Sequence, residues 1–548
     1  MPTVTLNRKV FERLVGKSFP IEKLKDRISY LGTDLESVES DKIVVEVFPN
    51  RPDMLSEQGF ARAFSSFVGV KTGLKKYNIK KSGFKVIVDR SVTMRPYTAC
   101  ALVKNMKFTD ERIKETMQLQ EKLSTTHGRA RRKSEYGIYP SVKIKFPVRY
   151  IAKDPKTVTF VPLGMNKPIR ADRVEQLHHT GKAFKHITEG WKKYPFFIDA
   201  SGKVLSMLPY TNSNDTGKVD ETTKEIFIEC TGTNLENVNT ALNILVTTFA
   251  DMGGEIYSIE MVYPNKKITT PNLTPKKMKI DCDYVNKLLD LKLSKKQIFN
   301  LLKIMGYGEE RGNVLIPAYR GDVMHQMDLV EDVAIAYGYE NFEPEIPNIA
   351  TVGSEDEFSV FASKVANIMV GLGFIETSTY HLTNKRNLNE KMLTDMDFIE
   401  IDNSKNSEYN VLRSWMIPSL MNVLGSNTRY EYPQRLFEIG TVFKKGGKET
   451  GVQEFSRLGV VICDKDMTFT DMKQVMDSFF NSLNVKYGIK GVDHPSFISG
   501  RVGRVSVKGK KIAYIGEIHP QVLENFGIEQ PVCAFEVNLS DMLEILKK

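Results

Sequence analysis

None of the five cysteines belongs to a Cys-x-x-Cys pair. Cys100, Cys230, Cys282, Cys463 and Cys533 are scattered, so neither a zinc ribbon nor a disulfide framework is indicated. They fit the reduced, structural thiols of a cytoplasmic protein. No apolar run approaches the roughly 18 residues that a membrane span needs. The opening MPTVTLNRKVFERLVGK lacks the apolar stretch of a signal peptide. There is no Gly-rich phosphate loop, no fixed-period repeat and no low-complexity segment. The expectation is a cytoplasmic protein with no membrane partner.

What is present is length and positive charge. At 548 residues the chain is too long for one core and suggests several domains. It is 41% hydrophobic and 26% charged, with a formal net charge of +10. That balance suits a polyanionic partner such as RNA, and equally a surface of solvated lysines. The charge is concentrated at RARRKSE, where Arg129, Arg131, Arg132 and Lys133 follow His127 closely. Such a loop can grip phosphates or simply be exposed. His178 and His179 have no Cys or carboxylate spacing beside them, so they read as surface residues rather than zinc ligands.

The hydrophobic patterns divide the chain into four stretches, 1–82, 83–265, 270–346 and 350–548. In the first, VTLN and KIVVEVF read as strands, and SEQGFARAFSSFVG as a helix capped by Ser56. The NRPD turn between them gives Asp53 a turn or cap role. The second mixes strands such as EIFIECTGT with two helices, DERIKETMQLQEKLSTTHG and NLENVNTALNILVTTFADMGG. FFIDASGKVLSMLPYTNS reads as a hairpin turning at Ser201-Gly202. The linker VYPNKKITTPNLTPKK, rich in proline, marks a boundary. The third stretch has helices and a short strand pair in winged-helix style, with Ser294 as a cap and Gly306 as a stop. In the fourth, a long helix ends at Gly373 and IETSTYHL reads as a strand. LRSWMIPSLMNVLGSNTRY reads as a helix bent or restarted at Pro418, and several strands then predict a large antiparallel sheet. The expected class is α+β and multidomain.

Two features carry chemistry. Asp322, Asp328, Glu331 and Asp332 crowd into RGDVMHQMDLVEDVAIAYGY. Asp328-Leu-Val-Glu331 matches a helix-start capping pattern, and Asp322 fits a cap on the preceding turn. Crowded carboxylates nonetheless repel unless a cation lies between them, and hard oxygen ligands suit Mg²⁺. The second feature is Glu229, an acid inside the apolar run IFIEC, which requires a buried partner.

FPNRPDMLSEQGFARA, RPYTACALVKNMKF, GRARRK, FVPLG, FIECTGT, IPAYRGDVMHQMDLVEDVAIAYGY, LRSWMIPSLMNVLGSNTRYEYPQRLFEIG, HPSFISGR and GEIHPQVLENFG follow one another along the whole chain. In this order they resemble the β subunit of phenylalanyl-tRNA synthetase in its archaeal and eukaryotic form. The resemblance implies a noncatalytic partner of a catalytic α subunit in an (αβ)₂ enzyme, which joins phenylalanine to tRNA-Phe using ATP. It casts 1–82 as an N-terminal α/β domain, 83–265 as an editing and tRNA-binding domain, and 270–346 as a winged-helix-like domain. The last stretch, 350–548, would be a class II synthetase-like core without catalysis. Class II chemistry uses an Arg-x-Glu element, whereas Arg435-Leu-Phe-Glu438 is one residue longer. GRVGR, at Gly500–Arg504, lies in a strand context and reads as structural.

The resemblance also implies a reaction for the second domain, hydrolysis of tyrosine wrongly attached to tRNA-Phe. An apolar pocket rejects an analogue that merely adds a hydroxyl by only about 10², so a second site that binds that hydroxyl is needed. The matching positions are Asn212, Ser213, Glu229, Thr231 and Thr233. Glu229 would accept the tyrosine hydroxyl, Thr231 would face the same side of the strand, and Asn212 and Ser213 would hold the ester or a water. The competing reading makes Asn212 and Ser213 a turn, with Thr231 and Thr233 satisfying strand-end backbone groups. The resemblance further places Mg²⁺, shared with the α subunit, on Asp322, Asp328, Glu331 and Asp332. Two other functions compete. An RNA-binding or assembly subunit would fail in deacylation, and a stand-alone metal enzyme would act with ATP and Mg²⁺ unaided.

Overall fold

The computed structural model describes every residue except Met1, Ser40, Ala350, Lys448 and Lys548. The outer bounds of the first and last expected domains thus lie outside the described residues. The chain divides into two compact units, Met1–Ile346 and Pro347–Lys548. Among the described residues no helix is long and apolar enough to cross a membrane.

The first unit begins with a three-stranded antiparallel sheet, Lys42–Glu46 lying between Thr3–Asn7 and Asp34–Val38. Ser56 caps the Glu57–Phe67 helix, its hydroxyl accepting from the Gly59 N–H at 3.0 Å. Phe11 packs on Phe60 and Phe64, with ring centroids 5.8 and 5.3 Å away. In the NRPD turn Asp53 is buried and takes both arms of the Arg51 fork at 2.9 Å, so its role is structural.

A ten-stranded sheet follows. Its Ile226–Gly232 strand is buried throughout and runs antiparallel to Tyr97–Lys104 on one side and Ser134–Pro140 on the other. Alternation decides what each face does. Ile226, Ile228 and Cys230 enter the core shared with the Leu235–Asp251 helix. Phe227, Glu229 and Thr231 point to the other face, with their cross-strand partners Tyr139, Gly137 and Glu135. The expected hairpin pairs Tyr194–Ile198 with Val204–Met207, and Gly202 takes φ of 85° in its turn.

The acidic segment belongs to a smaller module, the three-stranded sheet Lys276–Met278, Asn313–Ile316 and Gly308–Glu310. Helices Cys282–Leu289, Lys295–Ile304 and Gln326–Tyr337 accompany it. Ser294 and Gln297 close a capping box, as the sequence predicts for Ser294. The three expected N-terminal domains share one apolar cluster, and the second also has two clusters of its own, one from Val86 to Tyr263 and one from Val158 to Tyr210. Buried residues from Val4 to Val333 form one contiguous cluster.

The second unit is built on a seven-stranded sheet, antiparallel except where Ile375–Glu376 joins Gln434–Lys445. The Glu357–Gly371 helix, capped by Asp356, is the expected long helix. IETSTYHL is not one strand. Only Ile375–Glu376 and, in a separate sheet, Leu382–Thr383 pair with neighbours. Between them Thr379 turns to the Glu438 carboxylate, its N–H at 3.2 Å and its hydroxyl at 2.7 Å, which breaks the ladder. Pro418 stands in the first turn of the Ile417–Ser426 helix, where it starts the helix rather than bending it.

Candidate functional site

The Glu229 side chain is wholly buried, and its Oε1 lies 3.0 Å from the Tyr139 hydroxyl. The same hydroxyl lies 3.0 Å from Asn212 Oδ1. One phenolic proton therefore faces two acceptors. Burial, with Glu135 adding repulsion, pushes the Glu229 carboxyl up to about 8. The proton that Glu229 retains at neutral pH supplies the missing donor, so a chain from Glu229 through Tyr139 to Asn212 is satisfied. Gly137 stands across the ladder from Glu229. A Cβ there would meet the Tyr139 hydroxyl at 2.4 Å and Glu229 Oε1 at 2.5 Å, so only glycine leaves this contact intact.

Asn212 opens this chain to a cleft of about 710 Å³, walled also by Glu135, Arg131, His178 and Tyr210. Glu229 and Tyr139 do not line the cleft. Glu229 is one side chain removed from it, behind Tyr139. Around this face several buried polar atoms have no partner among the described residues: Glu229 Oε2, Glu135 Oε2, Thr231 Oγ1 and Arg95 Nε. Buried polar groups are normally paired, so such a concentration marks a place that water or a ligand completes.

The expected residues divide. Asn212, Glu229 and Thr231 come together; Ser213 is buried beside Asn212, its N–H donating to the Leu205 carbonyl at 2.7 Å. Thr233 does not join them. It is exposed at the strand end, its N–H donating to the Lys133 carbonyl at 3.0 Å, as the structural reading of that residue has it.

In the acidic segment the cation between the carboxylates is Arg320. Its Nη2 reaches Asp322 Oδ2 at 2.7 Å and Asp332 Oδ2 at 2.8 Å. Tyr307 donates to the same Asp332 oxygen. The helix cap is His325, not Asp328. Asp328 stands three residues later, and its Oδ2 accepts from the N–H groups of Met324 and His325, both at 2.7 Å. Asp322 pairs with Arg320 and caps no turn. Glu331 is exposed. As a four-carboxylate cage the segment does not fit an ion, since Arg320 already neutralises two members. Among the described residues the acids whose oxygens converge as three are Asp34, Glu36 and Glu46, not these. Outside the Arg320 cluster the donors left to a metal are the second oxygen of Asp328 and the Glu331 carboxylate, three residues apart on one helix.

A family model of the phenylalanyl tRNA synthetase beta chain CLM domain matches residues 343–539, and one of the tRNA synthetase B5 domain matches residues 278–339. A phenylalanine–tRNA ligase beta subunit of Thermococcus gammatolerans is 40% identical, over 98% of this chain and 98% of its own. The chain belongs to the phenylalanine–tRNA ligase beta subunit family. The Pyrococcus abyssi member is likewise 40% identical, over 99% of this chain and 100% of its own. The solved N-terminal fragment of the Pyrococcus horikoshii beta subunit superposes with a TM-score of 0.59 at 38% identity, covering 61% of this chain and 99% of the fragment.

Within this beta subunit fold the basic loop is less free than its composition suggests. Arg129, Ala130 and Arg131 all have positive φ, and the turn they make folds Arg131 back onto the Tyr210 carbonyl at 3.0 Å. His127 also faces inward, its Nε2 2.7 Å from Asn237 Nδ2. Arg129 and Arg132 remain exposed. His178 is buried rather than at the surface, with Nε2 2.9 Å from the Leu163 carbonyl and Nδ1 2.7 Å from the Thr180 hydroxyl. Nε2 must carry the proton there, because a carbonyl can only accept. Sequence reasoning missed Glu135 and Tyr139. The signal for Glu135 was the one that marked Glu229: an acid inside a strand that is buried from end to end.

Proposed function

We propose that this chain is the beta subunit of a phenylalanine–tRNA ligase, working with a catalytic alpha subunit in an (αβ)₂ complex that joins phenylalanine to tRNA-Phe with ATP. We also infer that the cleft beside Asn212 hydrolyses tyrosine from mischarged tRNA-Phe. The observation that carries this second reading is the Glu229–Tyr139–Asn212 chain. It ends in the cleft on an amide whose orientation Tyr139 fixes, beside a second carboxyl, Glu135, with an unpaired oxygen. A tyrosine hydroxyl bonded there satisfies buried groups that phenylalanine leaves unpaired, at about 1–3 kcal/mol per group. Glu229 then acts through Tyr139 rather than by touching the substrate. Water adds to the ester carbonyl, the acyl–oxygen bond breaks, and free tyrosine and the ribose hydroxyl leave.

The half-buried Asp328 and the exposed Glu331 would lend one oxygen each to a Mg²⁺ shared with the alpha subunit, the remaining ligands being water and that partner. Its chemistry would be bracing. In the C-terminal unit Glu438 is held at 2.8 Å by Arg413, with 3% of its side chain exposed, and Arg435 projects from the opposite face of the strand. That arrangement suits a class II-like sheet without catalytic use.

A subunit that binds RNA and assembles without hydrolysis is the second reading, favoured by the absence of Glu229 from the cleft wall. Deacylation of Tyr-tRNA-Phe by the assembled complex decides. Loss of the activity in Glu229→Ala and Tyr139→Phe, with aminoacylation retained, supports editing. A wild-type rate in Glu229→Ala rejects the assignment.

A further inference from the structure

The second unit contains a cavity of about 430 Å³ against its seven-stranded sheet. Four cations line it, Lys444, Arg457, Arg504 and Lys511, against two acids, Glu536 and Asp541. Both acids already have partners. Glu536 Oε1 takes Arg457 Nη1 at 2.6 Å, and its Oε2 accepts the Met416 and Ile417 N–H groups at 2.8 and 3.2 Å. Asp541 holds Lys510 at 2.8 Å. Among the described residues Lys444, Arg504 and Lys511 form no ion pair with any acid.

The walls between these cations are aromatic. His494 is a hub, its ring centroid 5.8 Å from Trp415, 5.2 Å from Phe497 and 5.2 Å from Tyr514. Burial, with Arg504 nearby, holds the His494 imidazole below its usual range, so it presents a neutral ring. Arg504 stacks on Tyr514 at 4.0 Å, a planar cation on a planar ring. Trp415 is 5% exposed, yet among the described residues its indole N–H has no acceptor, and Arg457 Nε is likewise unpaired.

We propose that this cavity binds a nucleotide, its base among Trp415, His494 and Tyr514 and its phosphate on Lys444, Lys511 and Arg457. Each part of that ligand meets a need already present. A heterocyclic base stacks on aromatic and guanidinium planes regardless of sequence. A base nitrogen or carbonyl accepts the unpaired Trp415 N–H, and a phosphate answers Lys444 and Lys511, which lack acids, and the unpaired Nε of Arg457. The volume lies within the range of small-ligand sites, about 300–1,000 Å³. The nucleotide is either free or the terminal or unstacked residue of an RNA strand, since both offer one base and one phosphate.

The test is photolabelling of the assembled ligase complex with 8-azidoadenosine monophosphate, the modified peptides of this chain being mapped by mass spectrometry. The expected label falls on peptides containing Trp415, His494 or Tyr514. It is competed by adenosine monophosphate and not by inorganic phosphate at equal concentration. Lys444→Gln combined with Lys511→Gln, both at exposed positions that leave the melting temperature unchanged, lowers labelling about tenfold, as the loss of two phosphate contacts predicts. Trp415→Phe keeps the ring but removes the donor and lowers it about fivefold. Competition by a short oligoribonucleotide at lower concentration than by the mononucleotide assigns the site to RNA; the reverse order assigns it to a free nucleotide. Label elsewhere in the chain, label that phosphate alone displaces, or label indifferent to both variants overturns the proposal.

Discussion

The Tyr139 hydroxyl lies 3.0 Å from Glu229 Oε1, and Gly137, across the ladder from Glu229, has no side chain to part them. Gly137→Ala forces a Cβ to 2.4 Å from that hydroxyl. Overpacking of this kind costs about 1–3 kcal/mol. The expected result is a lower melting temperature together with loss of Tyr-tRNA-Phe deacylation, while aminoacylation persists.

Glu229 also gives the protein a pH signature. Its carboxyl binds a proton more tightly folded than unfolded, so its contribution to stability is whole below the unfolded value near ~4.3 and is lost as pH rises through about 8. Glu229→Gln keeps the shape and removes the titration. Across that window wild type loses stability relative to the variant by up to about 1.4 kcal/mol per pH unit. Urea melts of both proteins at about pH 5 and pH 8 measure it, and a difference independent of pH would show Glu229 ionised throughout.

Arg320 is the sole cation bonded to Asp322 and Asp332 among the described residues, with 4% of its side chain exposed. Arg320→Met abandons two largely buried carboxylates, and breaking such a buried cluster costs about 3–5 kcal/mol. The variant is expected to unfold at markedly lower urea. Arg27→Met, which removes a half-exposed partner of Glu340, is expected to shift stability by less than about 1 kcal/mol.

The two roles within the acidic segment separate by mutation. Glu331→Gln is expected to weaken the Mg²⁺ dependence of assembly with the alpha subunit and leave the melting temperature of this chain unchanged. Asp322→Asn is expected to do the opposite. Sedimentation of the mixed subunits across a Mg²⁺ titration distinguishes them; equal effects of the two would remove the distinction drawn between a paired and a free carboxylate.

Local signals were read well from the sequence. Ser56 and Ser294 cap the helices that follow them, and the period of two in IFIECTG placed Glu229 and Thr231 on one face. What failed depended on partners distant in sequence. IETSTYHL has strand-forming residues, but Thr379 bonds to a side chain on Glu438 instead of a neighbouring strand. Asp328 looked like a cap because nothing in a one-dimensional reading weighs His325 for that place. Four acids within eleven residues suggested a metal because the arginine beside them was read as part of the surroundings rather than as their counter-ion. Glu135 went unremarked because the basic loop next to it drew attention to charge at the surface.

The shared core of the first unit has a consequence for how such a chain is inherited. Residues as distant in sequence as Val4, Ile228 and Val333 lie in one apolar cluster. Cutting at 82/83 or at 265/270 would therefore open that cluster, whereas the break between Ile346 and Pro347 follows the division into compact units. The stretches before that break meet in this cluster, although 83–265 also holds two apolar clusters of its own. A chimera that exchanges one of them with a relative therefore has to match the partner's face of the shared cluster.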